Sequence, residues 1–545
     1  MALNTAVQPL RTCQADAGEK TEPAHELSGA TITTSEVQTR IPETPSNARL
    51  AVILGTCWIS SFFTAVDSTV IATLVIPISV TFESLPSLAW LGATYLIGTA
   101  VSQPLCGSLS EIFGRRPSFL VANIIFGIGT LICGLAAKEW QLLLGRLIAG
   151  LGGGAIYAIS TFIGSDLIPL RKRALFAGLG NVSWGVGTGI GGLFGGWIHG
   201  LIGWKWAFLI QVPVIAFAAV LNFSFVRIPK RESQKPSLLR VDYLGCFTLA
   251  SFLVLLLLGL NAGGNIVAWR SPLVYITLPL STVVLGLFII VEQRIANEPI
   301  LPLHLFRNQT VIAVSLTYFL DYVSGYGILF YIPVYLQLVG NSSVAVGERF
   351  ILHSLGTASA GVGAGLIMKA RGKYYWLSIT VHLFSMTGYG LLTRLEPSTP
   401  SYYSFVVMLI IGFGFGGMLV INLTALTSSV KREEQALGIS VSFVFRAVGS
   451  TLGVTLASAV FQNVLRQTLE TRLGDREDSR RIIALLRSSF AEISKVEPQI
   501  RTKVVDSYMT ALSAVFWLSF GMSVLAAVSG LFIKEHKLHA TLNRS

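Results

Sequence analysis

Residues Gly107–Pro117 read GSLSEIFGRRP, and a weaker copy, GLIMKARGK, stands at Gly365–Lys373. In each copy two glycines lie seven apart, basic residues flank the second, and the stretch joins two apolar runs. Further matches follow at nearly the same spacing. Gly150, Gly152, Gly153 and Gly154 are echoed by Gly412, Gly414, Gly416 and Gly417, and Ala174, Gly187 and Gly191 by Ala436, Gly449 and Gly453. The spacing is 258 residues for the loop and 262 for the other two. One glycine match means little in a chain with 53 glycines, but three in one order at one period mark an internal repeat.

Outside the repeat, composition decides the solvent. Hydrophobic residues make up 52% of the 545-residue chain and charged residues 12%, with a mean hydropathy of +0.65. Apolar runs of about 20 residues recur, each long enough to cross a hydrocarbon core of roughly 30 Å as a helix. This describes an all-α polytopic membrane protein with the lipid bilayer as its partner. The net charge of +12 sits mostly in short loops between spans, where it suits the cytoplasmic side and not nucleic acid. Cys57, Cys106, Cys133 and Cys246 fall in apolar runs and Cys13 in a polar tail, without metal-ligand spacing or a disulfide framework.

Residues 1–49 are rich in Thr, Ser, Glu and Pro and read as a disordered tail. Six spans follow over 50–226, a basic linker with two additional spans over 227–310, and six more over 311–533, ending in a short tail over 534–545. Arg115, Arg116, Arg171, Lys172 and Arg173 crowd the loops of one side, against single Lys138 and Lys205 on the other. The positive-inside rule therefore places both termini in the cytoplasm. Two central spans keep the second half the same way up as the first, so the duplicated units are parallel repeats. Within the external segment 462–507, Leu465, Leu469 and Leu473, then Ile482, Leu485 and Leu486, suit amphipathic helices lying on the surface as a packing cap. Asn341, in Asn-Ser-Ser, falls in an external loop open to glycosylation.

Several motifs resemble the major facilitator superfamily, and within it the fourteen-span drug:proton antiporter group of fungi, from Leu50 to Ile533. Gly107, Glu111, Gly114, Arg115 and Arg116 look like the family's signature between spans two and three, with Glu111 where Asp is usual. AVDSTVIATLVIP, with Asp67 and Pro77, resembles the group's first-span motif, and GRLIAGLGGG, with Arg146, its fourth-span motif. WKWAFLIQVPV resembles the start of the sixth span, while VDYLGCFTL and EPILPLHLFRN flank the two extra spans as in fourteen-span members. GTGIGGLFGG, containing Gly187, Gly191, Gly192, Gly195 and Gly196, aligns with the antiporter motif of the fifth span, with Gly192 replacing its proline. The resemblance implies a two-lobed alternating-access transporter. It also implies that Glu111, Arg115, Arg116 and Asp166 form charge contacts closing the cytoplasmic gate.

Ionisable groups inside spans are functional candidates by default. Asp67 and Arg146 lie at similar depths toward the outer side and are expected to pair. A buried carboxylate whose cationic partner moves away during a cycle takes a proton instead, which is the minimum machinery for proton coupling. Asp321 and Arg446 lie near the midplane, where secondary transporters bind substrate. With Tyr318, Tyr322 and Tyr326 they are expected to line the substrate cavity, an arrangement apt for a cation. The bland reading is that Asp321 neutralises Arg446 and the rings only pack. His353 and His382 have no acid or cysteine nearby in sequence and read as core residues, so no metal site is expected. Gly150–Gly154 lies inside an apolar helix without a following Gly-Lys-Ser/Thr and is no phosphate loop.

The expected activity is export of a small organic compound, a toxin, drug or secondary metabolite, by proton antiport across the plasma membrane. The expected protein is a monomer with no cofactor beyond the proton gradient, and it is not an enzyme. The alternatives are a proton-coupled importer or vacuolar transporter of a siderophore or basic amino acid, and a membrane sensor that moves nothing.

Overall fold

The computed structural model describes residues 46–82, 88–226, 242–263, 267, 269–296, 299–300, 303–340, 343–473 and 498–538. Residues 1–45, the linker over 227–241, Asn341 and residues 474–497 lie outside them, as do some side chains within helices, that of Pro77 included. The described residues form helices α1 (Asn47–Phe82), α2 (Leu88–Phe113), α3 (Arg115–Leu135), α4 (Glu139–Leu167) and α5 (Leu170–Ile202). These continue with α6 (Trp204–Leu209), α7 (Gln211–Phe225), α8 (Tyr243–Ala262), α9 (Pro272–Arg294) and α10 (Gln309–Leu338). The chain ends with α11 (Ser343–Arg371), α12 (Tyr375–Leu392), α13 (Ser401–Ser429), α14 (Gln435–Leu473) and α15 (Pro498–Gly530).

Counting α6 with α7, 11 stretches are long and apolar enough to cross a membrane. The long helices α2, α5 and α12 fall outside that set. The polytopic helical architecture thus stands, and length and apolarity do not by themselves carry the count to fourteen. In α5 the reason is composition, since its glycines have no side chain to add apolarity.

The duplication is visible in the packing. α2 lies on α4 as α11 lies on α13, α3 on α4 as α12 on α13, and α1 on α5 as α10 on α14. α7 and α15 each close their own lobe, against α1 and α3 and against α10 and α12. The lobes meet along two seams, α2 with α14 and α5 with α11. The α8–α9 hairpin covers the first seam, where the Thr455 hydroxyl donates to the Leu260 carbonyl at 3.1 Å. On the lipid side α9 leaves Tyr275, Ile276 and Val283 more than half exposed, as an apolar solvent permits.

The two glycines of the signature stretch do separate work. Gly107 meets α14 so closely that an added Cβ would strike Ser440, and its copy Gly365 lies against Ala174 and Leu175 of α5. Gly114 and Gly372 both take a positive φ, of 94° and 69°, and turn the chain into α3 and α12. Few other residues enter that region cheaply.

The sixth expected span is broken at Ile210. Pro213 has no N–H to offer the Leu209 carbonyl, and the Gln211 side chain donates to the Ala207 carbonyl at 2.8 Å. The segment after residue 461 differs from the expectation. α14 runs unbroken to Leu473, and Leu465 and Leu469 are fully buried against Val504, Tyr508 and Leu512 of α15. The leucine stripe is the inner face of a helical pair, not a helix lying on a surface. Ile482, Leu485 and Leu486 lie outside the described residues.

Candidate coupling and substrate sites

Asp67 on α1 and Arg146 on α4 are 0% and 1% exposed and form an ion pair of 2.8 Å. Arg146 also reaches the carbonyls of Asp67 at 3.5 Å and Leu91 at 3.4 Å, and its guanidinium covers the Tyr95 ring at 4.3 Å. The second carboxylate oxygen of Asp67, Oδ1, is buried without a hydrogen-bond partner. The helix that carries the antiporter-like glycines touches α1 beside this pair. A Cβ at Gly187 would lie 2.7 Å from the Phe62 carbonyl oxygen, and one at Gly191 2.6 Å from that of Val66. Gly195 is buried, Gly192 is half-buried, and Gly196 faces open space.

The basic end of the bundle holds the residues expected to form the gate. Arg115 pairs with Asp166 at 2.9 Å and Glu111 at 3.5 Å and also donates to the Ser110 hydroxyl, tying α2, α3 and α4 within one lobe. Arg116 stands apart, its guanidinium over the Phe223 ring at 4.2 Å and its N–H groups on the Phe223 carbonyl. Contacts between lobes come from residues the sequence reading used only for orientation. Arg171 donates to the carbonyls of Lys369 and Ala370 at 2.7 and 2.8 Å, and the buried Arg173 donates to Gln435 Oε1 at 3.2 Å. Positions 173 and 435 are 262 apart, so Arg173 touches its own counterpart in the repeat. That spacing was the signal available in the sequence.

The midplane differs from expectation. Asp321 does not face Arg446. It lies between α10 and α12 with its Oδ2 at 3.6 Å from His382 Nε2, both side chains nearly inaccessible. His382 therefore does have an acid beside it, although 61 residues of sequence separate them. Its other ring nitrogen, Nδ1, is 2.7 Å from the Ser378 carbonyl oxygen. Asp321 is thus absent from the walls of the cavity around Arg446, because its side chain turns into the second lobe.

Arg446 is enclosed by rings. Its guanidinium carbon is 5.5 Å from the centroids of Tyr157 and Tyr318, 4.9 Å from Tyr322 and 5.1 Å from Phe443. It opens on a cavity between α4, α5, α10, α13 and α14, lined by Tyr157, Thr161, Asn181 and Tyr318 among others, with about 20 Å³ of free space. That is room for about one water molecule. A neighbouring cleft with about 90 Å³ of free space shares Tyr157, Thr161 and Asn181 and reaches Arg173. Tyr326 stacks on Tyr322 at 5.7 Å, one turn farther along α10. Tyr157 was missed by the sequence reading because nothing but its place in the fold separates it from other tyrosines. Among the described residues no cluster of side chains is placed to hold a metal ion.

Residues 57–454 match the profile of the Major Facilitator Superfamily. The chain belongs to this superfamily. Its relatives within it include the multidrug resistance protein fnx1 of Schizosaccharomyces pombe, 33% identical over 500 residues that cover 90% of this chain and 94% of that one. Vacuolar basic amino acid transporter 2 of Saccharomyces cerevisiae is 30% identical over 459 residues, covering 81% and 96%. Among solved superfamily structures, the proton:xylose symporter XylE superposes with a TM-score of 0.58 at 16% identity, covering 90% of this chain and 98% of that one. The fold is thus that of a membrane transporter of small molecules.

Proposed function

We propose that this chain is a fourteen-span secondary transporter that moves a small organic compound out of the cytoplasm in exchange for protons. The observation that carries the reading is the Asp67–Arg146 pair, fully buried in the first lobe with one carboxylate oxygen unpartnered. A proton added at that oxygen breaks no existing hydrogen bond, and it neutralises the charge that holds Arg146. Proton entry from the outer side, release of Arg146 and rearrangement of α1 against α4 then form one coupled step. Energy comes from the gradient, a charge crossing 100 mV being worth about 2.3 kcal/mol. The basic end, with Arg115, Arg171 and Arg173, is the cytoplasmic gate, and the cavity around Arg446 is the substrate site. The 33% identity to a multidrug resistance protein supports export, which we place at the plasma membrane.

The 30% identity to a vacuolar basic amino acid transporter favours a second reading, in which the same machine fills the vacuole. Both readings move substrate from the cytoplasm into an acidic compartment. The test is efflux of amphipathic dyes and of lysine from intact cells, and uptake of both into isolated vacuoles, with and without a protonophore and beside Asp67→Asn. Protonophore-sensitive movement lost in the variant is the expected result. Movement insensitive to both removes Asp67 and proton drive from the mechanism.

A further inference from the structure

The buried arginines Arg115, Arg146, Arg173 and Arg349 all have acceptors. Arg115 and Arg146 reach carboxylates, Arg173 reaches Gln435 and main-chain carbonyls, and Arg349 reaches the hydroxyls of Ser401 and Ser404. Arg446 differs from them. It has a side-chain hydrogen bond with Tyr157 but forms no ion pair with a carboxylate among the described residues, and its charge rests on four aromatic faces. Ring faces stabilise a cation but accept none of its five N–H groups in the plane. A guanidinium without a counter-charge inside a span is expensive and is a functional candidate by default. Because Asp321 turns toward His382, no described residue of this lobe supplies the missing anion.

We infer that Arg446 is the carboxylate-receiving subsite of the inter-lobe cavity, so that the transported compound carries a carboxylate on an apolar or aromatic body. The inference rests on the reading of that cavity as the substrate site. A carboxylate matches the planar fork of the guanidinium with two parallel hydrogen bonds. Asn181 and Thr161 add a side-chain amide and a hydroxyl to the same cavity wall, while Tyr318 and Phe443 offer flat apolar faces to the rest of the molecule. Since the free space is only about 20 Å³, the substrate enters when the lobes part and the rings close on it. An α-carboxylate of an amino acid presents the same chemistry, so the two sources are separated by the choice of probe.

The experiment is ligand-induced thermal stabilisation of the purified full-length protein, titrated with 1-naphthylacetate, its methyl ester and 1-naphthylmethylamine, and with L-lysine and its methyl ester. At least one acid is expected to bind about tenfold or more tighter than its ester, the value of one charge-assisted hydrogen bond. Arg446→Gln is expected to bring that ratio to about one, and Arg446→Lys to keep part of it. An amine or ester that binds as well as the acid, no binding of any acid, or a ratio unmoved by Arg446→Gln overturns the inference. Ala177→Trp, which fills the cavity, separates the two levels of the argument. Loss of all binding in Ala177→Trp beside an unchanged ratio in Arg446→Gln refutes the carboxylate subsite alone. Unchanged binding in Ala177→Trp removes the cavity itself as the substrate site.

Discussion

Arg146 and Met408 hold equivalent places in the two repeats, as do Asp67 and Ser324, yet only the first lobe buries an ion pair there. The equivalence is fixed by contacts: Gly187 and Gly191 meet Phe62 and Val66 as Gly449 and Gly453 meet Phe319 and Val323. In the second lobe the charge has moved to Asp321 and His382, where the first lobe has Thr64 and Asn123. Asn123 there accepts a neutral hydrogen bond from Ser60 at 3.1 Å. Packing between helices is thus shared between the lobes, while buried charge is not. The difference teaches that one backbone plan tolerates either arrangement, so the buried charges are not what the shared packing requires.

The strongest way to break this contrast is to give the first lobe the residues of the second. Arg146→Met leaves Asp67 buried without a counter-charge, a change of roughly 3 to 5 kcal/mol against folding. Melting of the purified protein should fall sharply and transport should drop more than about tenfold. The double variant Asp67→Ser with Arg146→Met should melt near wild type, because a buried pair replaced as a unit is often neutral in stability. Proton-driven transport should remain lost. Recovery of coupling in the double variant would show that the pair is structural.

A smaller effect is expected at the seam between the lobes. A Cβ at Gly178 would lie 2.6 Å from the Gly361 carbonyl oxygen, so Gly178→Leu holds α5 away from α11. Transport should slow several-fold, and Ser165→Cys, made in the same background, should react faster with a membrane-impermeant thiol reagent added from the basic side. Unchanged labelling would mean that the approach of these helices does not close that end.

The second lobe's pair should matter less to coupling than the first's. Asp321→Asn, His382→Gln and the double variant form a cycle whose coupling energy is expected at about 1 to 3 kcal/mol, read from stability. Efflux by each should stay sensitive to a protonophore. Loss of that sensitivity in Asp321→Asn, with retention in Asp67→Asn, would reverse the assignment of the lobes. The smallest change is Arg171→Ala. Its two hydrogen bonds are exposed, and transport should alter by less than about twofold, as is usual for surface charges.

Much of this was legible in the sequence. The repeat, the helical class and the family follow from spaced glycines and local motifs, because those positions are set by backbone approach and turn geometry that only glycine satisfies cheaply. Asp67 and Arg146 were paired from depth alone, since each lies on a helix whose direction the loop charges fix. The arrangement at Asp321, His382 and Arg446 was not legible. Depth gives the height of a residue in the bundle but not the side of the helix on which it stands, and rotation of α10 by part of a turn decides whether Asp321 meets Arg446 or His382. The stripe at Leu465, Leu469 and Leu473 failed for a related reason. An apolar helical face has the same period whether it meets lipid headgroups or another helix.

The Arg173–Gln435 contact carries a consequence for how such a chain diverges after its gene is doubled. In a dimer of identical halves, a residue beside the two-fold axis faces its own copy, so an arginine there meets an arginine. Fusion into one chain releases the two copies to change separately, and the positions beside the axis are the ones where a change in one copy alters the surroundings of the other at once. Here one copy donates and the other accepts, at 3.2 Å. At this point of the seam the two halves of the repeat are no longer alike, and their difference is what lets them bond.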